Sequence, residues 1–236
     1  SRGLGDVYKR QPKRDEKDYI SLLKNPNLWF KDSFILPFAD LISRYKTHLL
    51  LLLGITFTYR LSDMFLGPMA MPFYQEIGFT KIQVAQITNF YGMWMTILGG
   101  LFAGLTLHRF GLVKNMIAGA IFVPLANIPF IFLNLIGNDV NFLIFTITVD
   151  NFSQGFISVV GITFLSNMVS ATYTATQYAL LYGLVVIPPN IISSGSGFVA
   201  EAYGFQNFFI LCALLGIPAI VLTLMVWQKR EVFGFD

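Results

Sequence analysis

Three ionisable residues lie inside long apolar segments of this sequence. Arg60 and Asp63 stand in the stretch TFTYRLSDMFLGPMAM, and Asp150 stands in FTITVDNFSQGF. A charged side chain at the centre of a bilayer costs at least about 2.5–3.5 kcal/mol, so such residues are candidates for function. The chemistry that they offer is ion pairing, binding of an anionic group and uptake of a proton.

Arg60 and Asp63 are three positions apart, so on a helix their side chains share one face and can pair. Pairing lowers the cost of removing both charges from water. Two interpretations of the pair stay open. It is either a buried structural ion pair, or it lines a water-filled cavity where it binds an anionic substrate group or exchanges a proton.

Asp150 has no basic residue near it in the sequence, and its polar neighbours are Asn151 and Gln154. Its partner must therefore come from another helix, from water or from a substrate. A buried carboxyl group without a cationic partner favours the protonated form. Asp150 is the strongest proton-coupling candidate, and a hydrogen-bonded structural aspartate is the alternative.

The composition predicts the elements that position these residues. Hydrophobic residues make up 55% of the 236 residues and charged residues 12%, against about 25% charged in soluble domains. A helix needs roughly 20 apolar residues to cross a bilayer. We therefore predict an all-α membrane protein, a bundle of six transmembrane helices at 48–71, 83–107, 113–136, 140–168, 176–199 and 205–227.

The rest of the chain divides into three further parts. Residues 1–11, SRGLGDVYKRQ, resemble a translated sequencing adapter, so we expect them to be an artefact and the natural start of the protein to be missing. Residues 12–47 are expected to form a cytoplasmic linker with an amphipathic helix after Pro37, the bundle to occupy 48–227, and a short cytoplasmic tail to occupy 228–236.

Lysine and arginine residues are distributed unevenly between the two sides of the predicted bundle. Short cytoplasmic segments are rich in these residues. One side of the bundle carries Lys81 alone. The other side carries Lys13, Arg14, Lys17, Lys24, Lys31, Arg44, Lys46, Arg109, Lys114, Lys229 and Arg230. We therefore predict that both ends of the chain are cytoplasmic.

Helix breakers and small residues mark further features of the predicted spans. Pro188 and Pro189 in the fifth span remove two backbone donors, which predicts either a hinge that lines a cavity or a passive kink. Gly100 and Gly104 in the second span, within GGLFAG, predict close packing against another helix. Four aromatic residues could stack on a sugar ring: Tyr91, Trp94, Tyr178 and Tyr182. The alternative is that they have no such role, because aromatic residues are common throughout this chain, which has 24 phenylalanines.

Several function classes are disfavoured. Cys212 is the only cysteine and the two histidines have no neighbouring ligands, so the sequence predicts neither a metal site nor a cofactor. No phosphate-binding GxxxxGK[ST] loop is present. No nucleophile stands with a base, so an enzyme is not expected. The formal net charge of +3 falls to +1 without residues 1–11, which gives no reason to expect a nucleic-acid partner.

Four stretches of the sequence carry a resemblance to a known family. They are RLSDMFLGPMAMPFYQEIGFTKIQVA, GMWMTILGGLFAGLTLHRFGL, DNFSQGF and the pair TATQYALL and GFVAEAYGF. From Pro37 to Trp227 the chain resembles the second half of the AmpG-like muropeptide permeases of the major facilitator superfamily. The resemblance implies one half of a major facilitator fold, whose N-terminal half is missing here.

The resemblance also implies roles for individual residues. Asp63 falls on the family's acidic residue in the first span, and Asp150 beside Asn151 stands where the family commonly has Glu beside Asn. Gln177 belongs to a family motif that survives here as TATQYALL, and Arg109 and Gly111 resemble the superfamily's cytoplasmic loop.

At three places the sequence departs from the family, and at one of them Gln154 replaces a glycine. Asn89 stands where many members have lysine, and Pro188 and Pro189 replace a pair of glycine and a basic residue. These departures affect positions where substrate choice could lie.

The function that the resemblance implies is import of anhydromuropeptides across the bacterial inner membrane, driven by protons and working by alternating access. Asp150 would take the proton, Asp63 and Arg60 would sense its charge or bind substrate, and Pro188 and Pro189 would flex. The implied partners are the small-molecule substrate, protons, the lipid bilayer and the missing N-terminal half. The alternatives are a transporter of another solute, such as an acyl-coenzyme or a sugar, and a non-transporting membrane sensor or scaffold.

Overall fold

A computed structural model describes residue 27 and residues 30–233, and every regular element in this part of the chain is helical. The predicted segment 1–11, residues 12–26 and 28–29 of the linker, and residues 234–236 of the tail lie outside the described residues. The α-helices are α1 (Leu36–Tyr45), α2 (Leu49–Thr58), α3 (Leu61–Glu76), α4 (Lys81–Ala85), α5 (Gly92–Phe110), α6 (Leu112–Ala126), α7 (Ile128–Ile136), α8 (Val140–Met168), α9 (Thr174–Ser193), α10 (Ser196–Leu215), α11 (Ile217–Gln228) and α12 (Arg230–Phe233).

Six helical stretches of the described chain are long and apolar enough to cross a membrane, which confirms the predicted all-α six-helix bundle. We name them spans 1 to 6 in chain order. Span 1 joins α2 and α3, span 2 joins α4 and α5 through a π-helical turn at Gln86–Tyr91, and span 3 joins α6 and α7. Span 4 is α8, span 5 is α9, and span 6 joins α10 and α11.

Two hydrophobic clusters fill the bundle, one above the other along span 1. The first includes Leu52 and Ile55 of α2, and the second includes Phe65 and Phe73 of α3. Span 1 breaks between them, since α2 ends at Thr58 and α3 begins at Leu61. The backbone of Arg60 leaves the helical region there, with φ −115° and ψ 3°. The break places a polar layer between two apolar ones.

Spans 2 and 4 make a close backbone contact, and one of the two glycines that the sequence predicts takes part in it. A Cβ atom on Gly100 would lie 3.3 Å from Cγ2 of Val159 and 3.7 Å from the Gly155 carbonyl oxygen. A Cβ atom on Gly99 would collide with the Phe152 carbonyl oxygen, and one on Gly155 would collide with the Thr96 carbonyl oxygen. Gly104, by contrast, has nothing within 4 Å of such an atom. The expectation for Gly104 is therefore wrong, because this residue is exposed and faces away from span 4.

The boundary between spans 5 and 6 also differs from the prediction. Span 5 ends at Ser193 rather than near residue 199, and α10 begins at Ser196. The predicted turn survives as a break inside α10 at Gly204, which has φ 73° and ψ 160°. Glycine accepts this positive φ without the steric cost that a side chain would add.

Pro188 and Pro189 lie within α9, and this helix continues through both prolines to Ser193. Pro189 is buried and Pro188 is half-buried. The helix end falls at Ser194, five residues beyond Pro189. A hinge at the two prolines stays a prediction.

Candidate functional site

The break in span 1 places Arg60 and Asp63 in direct contact. An Nη atom of Arg60 donates to Oδ2 of Asp63 over 3.1 Å, and the side chains are 27% and 10% exposed. Asp63 lies in the first turn of α3, where the free backbone N–H groups of a helix favour a negative charge. The structure therefore contains the ion pair that the spacing predicts.

Asp150 of span 4 comes near this pair. Its charge and that of Asp63 are close enough to repel each other, and its charge also acts on Tyr74 of α3. Gln154, one turn along span 4, donates its amide to Oδ2 of Asp150 over 3.2 Å. Asp150 thus lies within electrostatic range of Asp63, while the ion pair of the site joins Arg60 and Asp63.

A cavity of about 180 Å³ lies on one side of Arg60, between spans 1, 3, 4 and 5. Its polar lining comes from Thr56, Arg60, Ser158 and Tyr182, and the remaining walls are mostly apolar. The Nε atom of Arg60 is buried and has no hydrogen-bond partner among the described residues. Arg60 therefore reaches Asp63 with one nitrogen, and its side chain also lines the cavity.

Asn151 joins span 4 to span 2 next to this site. Its Oδ1 atom accepts a hydrogen bond from the Thr96 hydroxyl over 3.1 Å, and its amide donates to the Ile147 carbonyl. The side chain also packs on Gly92, where an added Cβ would come within 3.0 Å of it. Both polar ends of Asn151 are engaged in helix packing.

Two other predicted site residues, Asn89 and Arg109, lie at exposed positions, and Gly111 is half-buried. Asn89 is exposed in the π-helical turn of span 2, where its Oδ1 atom accepts a hydrogen bond from the neighbouring Thr88 hydroxyl over 3.4 Å. Arg109 is exposed at the end of α5 and stacks on Phe110, 5.4 Å from the ring centre. Gly111 connects spans 2 and 3 with φ 80°, a conformation that favours glycine. None of these three shares a described contact with the Arg60–Asp63 pair.

Gln177 is buried elsewhere, at the start of span 5, where it holds α1 to the bundle. Its Nε2 atom donates to Asp40 Oδ2 over 2.7 Å and to the Pro37 carbonyl over 3.0 Å. Its Oε1 atom accepts from an Nη atom of Arg44 and from the Ser170 N–H. The amide is fully engaged with protein groups, so this geometry supports an anchoring role for Gln177.

Replacing Gln177 by leucine is expected to lower the free energy of unfolding by about 1–3 kcal/mol, because buried partners lose their hydrogen bonds. The measurement is the thermal unfolding of purified protein in detergent. Gln75→Leu is the matched control, since Gln75 is exposed and its one bond is to its own helix. An equal effect of the two substitutions would contradict the anchoring role.

Two polar residues of this region are absent from the sequence-based prediction. Ser62 and Asn127 are 1% and 2% exposed, and the Asn127 amide donates to the Ser62 hydroxyl over 2.7 Å. The two residues are 65 positions apart. Serine and asparagine are common in transmembrane helices as cross-helix partners, but the sequence contains no signal that pairs these two.

The sequence of this chain matches a known protein family. Residues 52–232 match the profile of the Major Facilitator Superfamily. The chain belongs to this superfamily of transporters, and its six spans make it a multi-pass membrane protein.

The chain is also similar to AmpG proteins of Rickettsia. It is 32% identical to AmpG 4 of Rickettsia conorii over 214 residues, which are 91% of this chain and 49% of that protein. It is 31% identical to AmpG 4 of Rickettsia felis over 83% of this chain and 47% of that protein. It is 25% identical to AmpG 3 of Rickettsia prowazekii over 93% and 49%. The chain thus spans about half the length of the relatives that it matches.

Proposed function

We propose that this chain is the C-terminal half of a proton-coupled permease that imports anhydromuropeptides by alternating access. The observation that carries the proposal is the Arg60–Asp63 ion pair at the break in span 1, with Asp150 of span 4 within electrostatic range of Asp63. Broken helices and intramembrane charges are typical of the binding and coupling sites of secondary transporters. The AmpG names of the relatives and the family resemblance support the choice of cargo.

The contacts suggest a division of labour within the site. Asp150 takes up and releases the proton, because it is a carboxyl group within span 4 and Gln154 is its only hydrogen-bond partner among the described residues. Arg60 binds an anionic group of the substrate through the part of its side chain that lines the cavity. Protonation of Asp150 removes its negative charge, which changes the electrostatic potential at Asp63. This in turn changes the strength of the ion pair between Asp63 and Arg60. No enzymatic step is needed.

The location that fits this function is the bacterial inner membrane, with both ends of the chain cytoplasmic. Arg109, Lys114, Lys229 and Arg230 lie at the ends of spans 2, 3 and 6 that we assign to the cytoplasm, and Lys81 lies at the opposite end. A missing N-terminal half would supply the facing wall of the site. Reading the gene upstream of the Pro12 codon tests this, and about six further apolar spans in frame are expected.

Competition for uptake tests the cargo. Vesicles that contain the full-length protein are expected to accumulate a labelled anhydromuropeptide, and unlabelled anhydromuropeptide is expected to compete with it. An acyl-coenzyme or a simple sugar added in the same excess is expected to leave uptake unchanged. Stronger competition by either of these would replace the proposed cargo and keep a transporter. A membrane sensor or scaffold would show no uptake of any of them.

A further inference from the structure

Spans 1, 3 and 6 are each interrupted, and hydrogen bonds link the three interruptions. Span 1 breaks at Arg60, span 3 breaks at Asn127 between α6 and α7, and span 6 breaks at Gly216 between α10 and α11. The breaks of spans 3 and 6 touch, since a Cβ atom on Gly216 would come within 2.9 Å of Pro124. The polar backbone groups that such breaks release must find partners within the bundle.

A chain of hydrogen bonds through Ser62 supplies one such partner and links the three breaks. At the break of span 6 the Gly216 N–H donates to Ala213 rather than to Cys212, four residues back. The Ser62 hydroxyl donates to the Cys212 carbonyl instead, over 2.6 Å. Ser62 in turn accepts a hydrogen bond from the amide of Asn127. One side chain of span 1 is thus bonded to the breaks of both spans 3 and 6.

Ser62 differs in this respect from other hydroxyl residues of span 1. Thr56 and Thr58 donate to carbonyls four residues back in their own helix, which is the usual choice in a helix interior. Ser62 forms no such bond, and its hydroxyl reaches across to two other spans. The first turn of α3 is therefore held in a fixed orientation relative to spans 3 and 6.

We propose that Ser62 and Asn127 are positioning residues for the Arg60–Asp63 pair, an inference that rests on the proposed function. Ser62 lies between the two charged residues in the first turn of α3, so fixing its side chain fixes the direction of both. Two described charged groups act on Asp63: Arg60 from span 1 and Asp150 from span 4. A small rotation of this turn changes the distance of Asp63 from each of them.

The test compares the pH profile of uptake by the full-length protein and its variants. Ser62→Ala and Asn127→Ala each remove one link of the same chain, and each is expected to shift the midpoint of the profile by roughly one pH unit. The double variant is expected to shift it no further, because residues of one network are not additive. Thr223→Val is the matched control: Thr223 is fully buried, and its hydroxyl bonds only to Ala219 of its own helix.

A second readout does not depend on transport. The unfolding temperature of the purified protein is measured across the same pH range, and Ser62→Ala is expected to change its pH dependence while Thr223→Val is not. Wild-type pH dependence of both uptake and unfolding in Ser62→Ala and Asn127→Ala would overturn the inference, as would an equal change in Thr223→Val. Absence of uptake by the wild-type protein would reject the proposed function, and the unfolding measurement would then decide the positioning role alone.

Discussion

Asp150→Asn is expected to reduce proton-driven uptake by the full-length protein to background while leaving its amount in the membrane unchanged. Asparagine has nearly the same shape and still accepts the hydrogen bond that Gln154 donates to Asp150. It cannot bind or release a proton, and it no longer repels Asp63. The measurement is the initial rate of uptake under an imposed pH gradient, together with the protein level in the same vesicles.

Exchange of substrate across the membrane separates coupling from binding. Asp150→Asn is expected to retain exchange between labelled and unlabelled substrate when no gradient is applied, because this process needs no net proton movement. Asp139→Asn is the control on the same helix, since Asp139 caps the start of span 4 through the Phe142 N–H and asparagine caps equally well. Wild-type uptake by Asp150→Asn would remove the proposed role of Asp150.

Gly155→Ala is expected to lower the free energy of unfolding by about 1–3 kcal/mol or more, as overpacking of a tight interface does. The new methyl group would meet the backbone carbonyl of Thr96, which cannot move aside as a flexible side chain would. Gly99→Ala is expected to act in the same way through the Phe152 carbonyl. Thermal unfolding in detergent measures both effects.

The displaced backbone at this contact would also reach the candidate site. Gly155 follows Gln154, and the Thr96 side chain bonds to Asn151, so Gly155→Ala is expected to reduce uptake as well. Gly104→Ala is the control in span 2, because Gly104 is exposed with free space around it, and alanine favours a helix by about 1 kcal/mol. Equal unfolding temperatures of Gly155→Ala and Gly104→Ala would contradict the close contact of spans 2 and 4.

The sequence predicts the elements of this fold well because span length and apolar content are local properties. It predicts the contacts between spans less well. The repeated glycines of GGLFAG indicate a packing face, but which glycine meets span 4 depends on the rotation of span 2, and the contact falls on Gly99 and Gly100 but not on Gly104. The end of span 5 is displaced because apolar residues continue past the break at Ser194.

In the candidate site, too, the sequence predicts the local contacts better than the contacts between spans. Arg60 and Asp63 are paired as their spacing predicts, because the pair is local to one turn. The approach of Asp150 to Asp63, and the bonds of Ser62 to Asn127 and Cys212, join residues far apart in the chain. Gln177 is prominent in the sequence as part of a motif, yet its partners lie in α1, about 140 positions earlier.

Proton movement that depends on substrate tests the central proposal most directly. The full-length protein is placed in sealed vesicles that contain a pH-sensitive dye, and an anhydromuropeptide is added outside with no gradient imposed. The account predicts a saturable movement of protons together with the substrate, and its absence in Asp150→Asn vesicles. Uptake of the anhydromuropeptide without any proton movement, or no response to it from folded protein, would contradict a proton-coupled permease.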